Sequence, residues 1–216
     1  MRDGMEALEI TEEGMTALGM PNFGPSFAVS CEKERQIEEL EVVERPLFRQ
    51  PEHFPKATYN FESPLVSEDG FWLGKRLFYD ARLSRDGTVS CGSCHLQAAA
   101  FTHHGHDLSH GIDDQLGNRN ALPIQNMAFK KAFFWDGGVH DLDLFALAPI
   151  ANPVEMDEEP ENVLSKLRAD ESYRAEFKKV YGTDEITMVQ FLKALGQFQA
   201  ALISDNSNYD KYVRGE

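Results

Sequence analysis

Apolar and polar positions divide the chain into stretches of different character. Over residues 1–56 the apolar residues are scattered, and Gly and Pro interrupt every candidate helix. Glu32 to Val43 reads as one short acidic helix, after which Pro46, Pro51 and Pro55 enforce extended chain. The character changes near Tyr59. Ser67-Glu68-Asp69-Gly70 has the form of a helix start, an N-cap oxygen followed by acids, and predicts a helix over Phe71–Tyr79. Trp72, Leu73, Leu77 and Phe78 are its apolar content, and core packing is the reading for Trp72. Arg82 to Val89 reads as a turn. Ala98 to Pro123 reads as a polar loop rich in His and Gly, of a length that usually carries function inside a compact domain. Asn126 to Ala132 fits a short helix. The last third is helical, over Glu161–Ala169, Glu171–Tyr181 with Gly182 as its stop, and Ile186–Ile203. In the last of these, Met188, Phe191, Leu192, Leu195, Phe198 and Leu202 share one face. The tail Asn206–Glu216 is polar and has no stop signal of its own. The pattern predicts a mostly α protein, with an irregular N-terminal extension over 1–56 and one domain over 57–216.

A hydrophobic content of 42% is enough to bury a core. The net charge of −15, from 36 acids against 21 bases, argues against nucleic acid or an anionic membrane as partner. It suits a cationic partner protein, or simply keeps an exported protein soluble. No stretch approaches the ~20 apolar residues of a membrane span.

The chemistry concentrates at Cys91-Gly92-Ser93-Cys94-His95. Two thiols three positions apart, followed at once by an imidazole, form the attachment signature of a c-type haem. Each thiol can add to one vinyl group, and His95 offers a nitrogen to the iron as proximal ligand. A thioredoxin-like redox pair lacks its βαβ surroundings here, and half of a zinc site lacks a second ligand pair downstream. One covalent haem c is the expectation. Haem c is attached outside the bacterial cytoplasm, so the motif implies a periplasmic or otherwise exported protein. Residues 1–20 carry Glu6, Glu9, Glu12 and Glu13 rather than the basic start and apolar run of a secretory signal. Ala28-Val29-Ser30-Cys31 has the shape of a lipoprotein cleavage box without the apolar run that would precede it.

The order of motifs adds to this reading. Leu73-Gly74-Lys75-Arg76-Leu77-Phe78-Tyr79-Asp80-Ala81-Arg82-Leu83-Ser84, Cys91 to His95, Asn118-Arg119-Asn120, Phe134-Trp135-Asp136-Gly137 and Pro153-Val154-Glu155-Met156 closely resemble the bacterial dihaem cytochrome c peroxidases. The resemblance covers about Ser67 to Glu216 and corresponds to the N-terminal, peroxidatic haem domain, which implies a cytochrome c-like fold. Asn208 to Gly215 resembles the segment leading into the second haem domain, and this chain has no second C-x-x-C-H. The resemblance implies that electrons come from a small cytochrome or copper protein and pass through a second haem domain or a second copy of the chain. It implies reduction of hydrogen peroxide to water, with Cys91 and Cys94 holding haem and His95 ligating its iron. His110 matches the distal ligand that leaves on activation, with His103, His104 and His106 as alternatives in the same loop. Glu155 matches the acid that moves the peroxide proton, Trp135 the indole between the two haems, and Asn120 a residue of a calcium site. The chain departs from the family in having Phe145 where many members have Gln, and Gly138 where they have Arg. The first removes a polar group from the implied peroxide pocket, which keeps a related dihaem oxidase acting on protein side chains in view. A single-haem electron carrier is the rival from another class, with Met156 or Met127 as permanent sixth ligand.

Overall fold

The longest helix among the described residues, Met188–Ala200, is the spine. In the computed structural model, which describes residues 47–105 and 107–216, seven α-helices and several 3₁₀ turns form, with no strand among the described residues. The expected helix at Glu32–Val43, the Cys31 box and His106 lie outside the described residues. The helices are α1 (Glu68–Phe78), α2 (Cys91–Cys94), α3 (Leu147–Ala151), α4 (Pro160–Ala169), α5 (Glu171–Tyr181), α6 (Met188–Ala200) and α7 (Asn208–Arg214).

Local chemistry sets their ends. Ser67 Oγ accepts from Gly70 N at 3.0 Å at the start of α1. Glu68 and Asp69 then face the positive end of the helix dipole, and Lys75 and Arg76 the negative end. Thr187 and Gln190 close a reciprocal capping box at the start of α6. Ser207 and Asp210 do the same for α7, so the tail that reads as polar and unpunctuated is a capped helix.

α6 buries Phe191, Leu192, Leu195 and Phe198, as its spacing predicts, and α1 packs along it. The crossing is close because Gly74 has no side chain. A Cβ there would lie 1.9 Å from the Ala194 carbonyl oxygen. Gly74→Ala is therefore expected to destabilise the fold by about 1–3 kcal/mol, the range for an overpacked core. A denaturant midpoint unchanged from wild type would show that the helices are not packed this tightly. Trp72 departs from its expected place. Its side chain is 53% exposed, with Nε1 donating to Glu68 Oε1 at 3.5 Å and the Lys75 ammonium 5.0 Å from its ring.

Residues 47–56 pack on the helical body and form one compact unit with it. Phe48 stacks on Phe61 at 3.9 Å, Phe54 meets Phe129 edge-on at 4.9 Å, and His53 Nε2 lies 2.9 Å from Asp210 Oδ1. Between α2 and α3 the backbone is irregular. Three isolated antiparallel bridges close its loops, Leu96 with Thr102, His110 with Leu116 and Phe133 with Val139. Each of these loops adjoins or carries a candidate site residue.

Candidate active site

A single helical turn presents the attachment motif. His95 N donates to Cys91 O at 2.9 Å, and Ser93 Oγ takes up the Ser90 N–H at the turn's start. Residues at i, i+3 and i+4 share a helix face, so Cys91, Cys94 and His95 all line one cleft. The next loop orients the imidazole. Ala100 and Phe101, both in the left-handed region (φ 57° and 56°), turn the chain back. Strain of this kind in non-glycine residues concentrates at functional sites. The turn brings Phe101 O to 3.0 Å from His95 Nδ1. A carbonyl only accepts, so Nδ1 carries the proton and Nε2 keeps its lone pair, the tautomer a metal ligand needs. Burial lowers the His95 pKa, against the opposing pull of the Phe101 and Leu122 backbone. The ring is therefore neutral at physiological pH.

The cleft is walled by Phe78, Val89, Ile124, Phe145, Pro149 and Met156 and encloses a cavity of about 50 Å³. An adjoining cavity of about 120 Å³ shares Cys94, His95, Phe145, Pro149 and Glu155 with it and opens past Ser109, Asn120 and Trp135. Burial pushes the Cys91 thiol up to about 12, with smaller contributions from Cys94 and Glu155, and raises Cys94 as well. Both cysteines are free of disulfide.

Glu155 reaches the cleft from a distant part of the chain. Its backbone carbonyl accepts from Ile112 N at 2.8 Å, and the neighbouring Met156 O accepts from Arg85 N at 2.9 Å. Burial raises the carboxyl's pKa, and Asn152 Nδ2, donating to Oε1 at 2.8 Å, opposes that rise. Asn152 has no place in the sequence reading. The signal for it was its position three residues before the acid, where an amide can fold back onto it.

The other expected residues are distributed unevenly. Trp135 is 62% exposed at the rim of the adjoining cavity, its Nε1 donating to Asn120 O at 2.9 Å, so it is not a core residue. The Asn120 amide donates to Asp107 O at 3.0 Å. Among the described residues no group of three His, Cys, Asp or Glu could hold a metal ion, so calcium at Asn120 would need oxygens from elsewhere. The His110 carbonyl lies 3.8 Å from Cys94 Sγ, while its imidazole pairs through Nδ1 with Asp114. His110, His103 and His104 do not line the two cavities. Met156 lines the cleft, whereas Met127 lines a separate groove beside Tyr59 and Lys193.

The family model described as di-haem cytochrome c peroxidase matches residues 68–216. The chain belongs to that family. Cytochrome c551 peroxidase of Nitrosomonas europaea is 40% identical over 144 residues, which cover 67% of this chain and 43% of that protein. Methylamine utilization protein MauG of Methylorubrum extorquens is 34% identical over 176 residues, covering 78% of this chain and 47% of its own. A solved MauG-like protein associated with microbial copper homeostasis is 34% identical, with a TM-score of 0.69 over 78% of this chain and 50% of its own. The chain thus spans about half the length of the relatives it matches. A di-haem peroxidase family member needs a haem c site, and the residues present fit one: two unbridged thiols, an oriented neutral imidazole and an apolar cleft.

Proposed function

We propose that the chain is the peroxide-reacting part of an exported, periplasmic haem peroxidase, reducing hydrogen peroxide to water with electrons from a small redox protein. One observation carries the reading. A half-buried carboxylate, Glu155, lines the same apolar cleft as Cys91, Cys94 and His95. Bound through the two thiols and His95 Nε2, haem would supply an iron able to bind and reduce peroxide.

The chain's own residues do the rest. Phe78, Phe145 and Pro149 exclude bulk water from the cleft. Glu155 takes a proton from one peroxide oxygen and returns it to the departing one. Burial raises its pKa towards the working range, as general acid–base chemistry requires. Phe145 contributes no polar group, so Glu155 handles both transfers. His110, its Nδ1 held by the Asp114 carboxylate in the way that orients metal-bound histidines, would be available to hold the iron only after its loop moved, since its imidazole does not line the cleft. The exposed indole of Trp135 relays electrons arriving from a second haem domain or another copy of the chain. A calcium ion at Asn120 would be completed from that same partner.

The electron-carrier reading rests on Met156, which shares the cleft with His95. Spectra separate the two. The haem-loaded protein is expected to change its absorption on adding cyanide or peroxide, and Met156→Ala to leave the reduced spectrum as it was. A low-spin spectrum indifferent to both ligands, and altered by Met156→Ala, would assign Met156 as the permanent sixth ligand and end the peroxidase reading.

A further inference from the structure

We propose that Tyr79 and Trp72 are sacrificial electron donors to the haem site, reached by an aromatic run that begins at the proximal ligand. The inference rests on the peroxidase reading above. Phe78 lies 6.4 Å from the His95 ring, and Tyr79 lies 5.1 Å from Phe78, with both distances between ring centroids. A second branch continues from Phe78 to Phe198 at 5.0 Å, to Phe71 at 5.5 Å and to Trp72 at 5.1 Å. Tyr79 also packs on the attachment turn itself, since a Cβ on Gly92 would lie 2.4 Å from the Tyr79 ring.

Phenylalanine is too hard to oxidise to hold charge, so Phe78, Phe198 and Phe71 serve as close-packed medium for tunnelling. The two ends of the run are the oxidisable rings. Both ends also have an outlet for the proton that must leave with the electron. Tyr79 is 41% exposed and can release its phenolic proton to water. Trp72 Nε1 already donates to the Glu68 carboxylate at 3.5 Å, which can accept its proton. Each residue thus gives one electron and one proton. Two electrons and two protons reduce one hydrogen peroxide to two waters, leaving neutral tyrosyl and tryptophanyl radicals. When the protein donor is scarce, this route would carry oxidising equivalents from the cleft to the surface, by a path other than Trp135.

Exposure alone gives a different pattern of damage. Tyr209 and Tyr212, at 73% and 77% exposed, are more accessible than either proposed donor and belong to none of these ring pairs. The test is to treat the haem-loaded full chain with hydrogen peroxide and no electron donor. The haem spectrum, the radical signal in frozen-solution electron paramagnetic resonance and the oxidised residues by peptide mass spectrometry are then followed. Oxidation is expected to concentrate at Tyr79 and Trp72 over Tyr209 and Tyr212. Tyr79→Phe with Trp72→Phe, which keeps both sites aromatic, is expected to lose that part of the radical signal while the haem still responds. If the haem responds but oxidation follows exposure, or no residue is oxidised, the inference is overturned and the peroxidase reading stands. If the haem does not respond, the peroxidase reading fails and the inference with it.

Discussion

Replacing Cys91 and Cys94 together with serine is expected to abolish covalent haem retention. A hydroxyl is nearly the size of a thiol but does not form the thioether, so the cleft keeps its shape and loses its chemistry. His95 would still offer Nε2, held by the Phe101 carbonyl, and haem could then be held only by reversible ligation. Wild type expressed with a haem-attachment system should carry the mass of one haem after denaturation, and either single variant should retain one bond. The double variant should show none. In wild type the raised pKa values of the half-buried thiols keep them protonated and slow their oxidation to a disulfide before haem arrives. A persistent haem mass in the double variant would mean that attachment lies elsewhere.

Glu155→Gln is the second large effect. General acid–base catalysis is worth roughly 10²–10⁴-fold, and the rate of the haem's reaction with peroxide is expected to fall within that range. The change is isosteric, and a glutamine oxygen can still accept from Asn152. Haem content and fold should therefore be retained. Carbon monoxide binding to the reduced protein needs no proton transfer and should be unaffected. A comparable loss in carbon monoxide binding would instead mark Glu155 as a residue that only shapes the cleft.

Much of this arrangement is legible in the sequence because it depends on local spacing. The N-cap at Ser67 and the buried face of α6 follow from neighbours along the chain, and so does the common face of Cys91, Cys94 and His95. Trp72 misled because its size suggests the core. Phe71, Trp72 and Leu73 cannot all face one side at helical spacing, and Glu68 and Lys75 hold the indole at the surface. The caps of α7 were readable in Ser207 and Asp210 but lie hidden in a polar stretch. The approach of Glu155 to the cleft had a different origin. Only the family resemblance suggested it, since the bonds that fix it come from Ile112 and Arg85, far away in the chain. The position of His110 is set by its partner Asp114 and by a loop whose length no periodicity constrains.

If Glu155 moves the proton of peroxide in the cleft, the pH dependence of the peroxide reaction reports it. The base must be ionised to accept a proton, and burial favours its neutral form. The second-order rate constant, followed at the haem by stopped flow, is therefore expected to fall as pH drops through a midpoint above the ordinary glutamate value of 4.5. Asn152→Ala removes the hydrogen bond that favours the charged form, so it should move this acid limb to still higher pH. Glu155→Gln should abolish the limb. An acid limb at the same pH in wild type and Glu155→Gln would contradict the assignment.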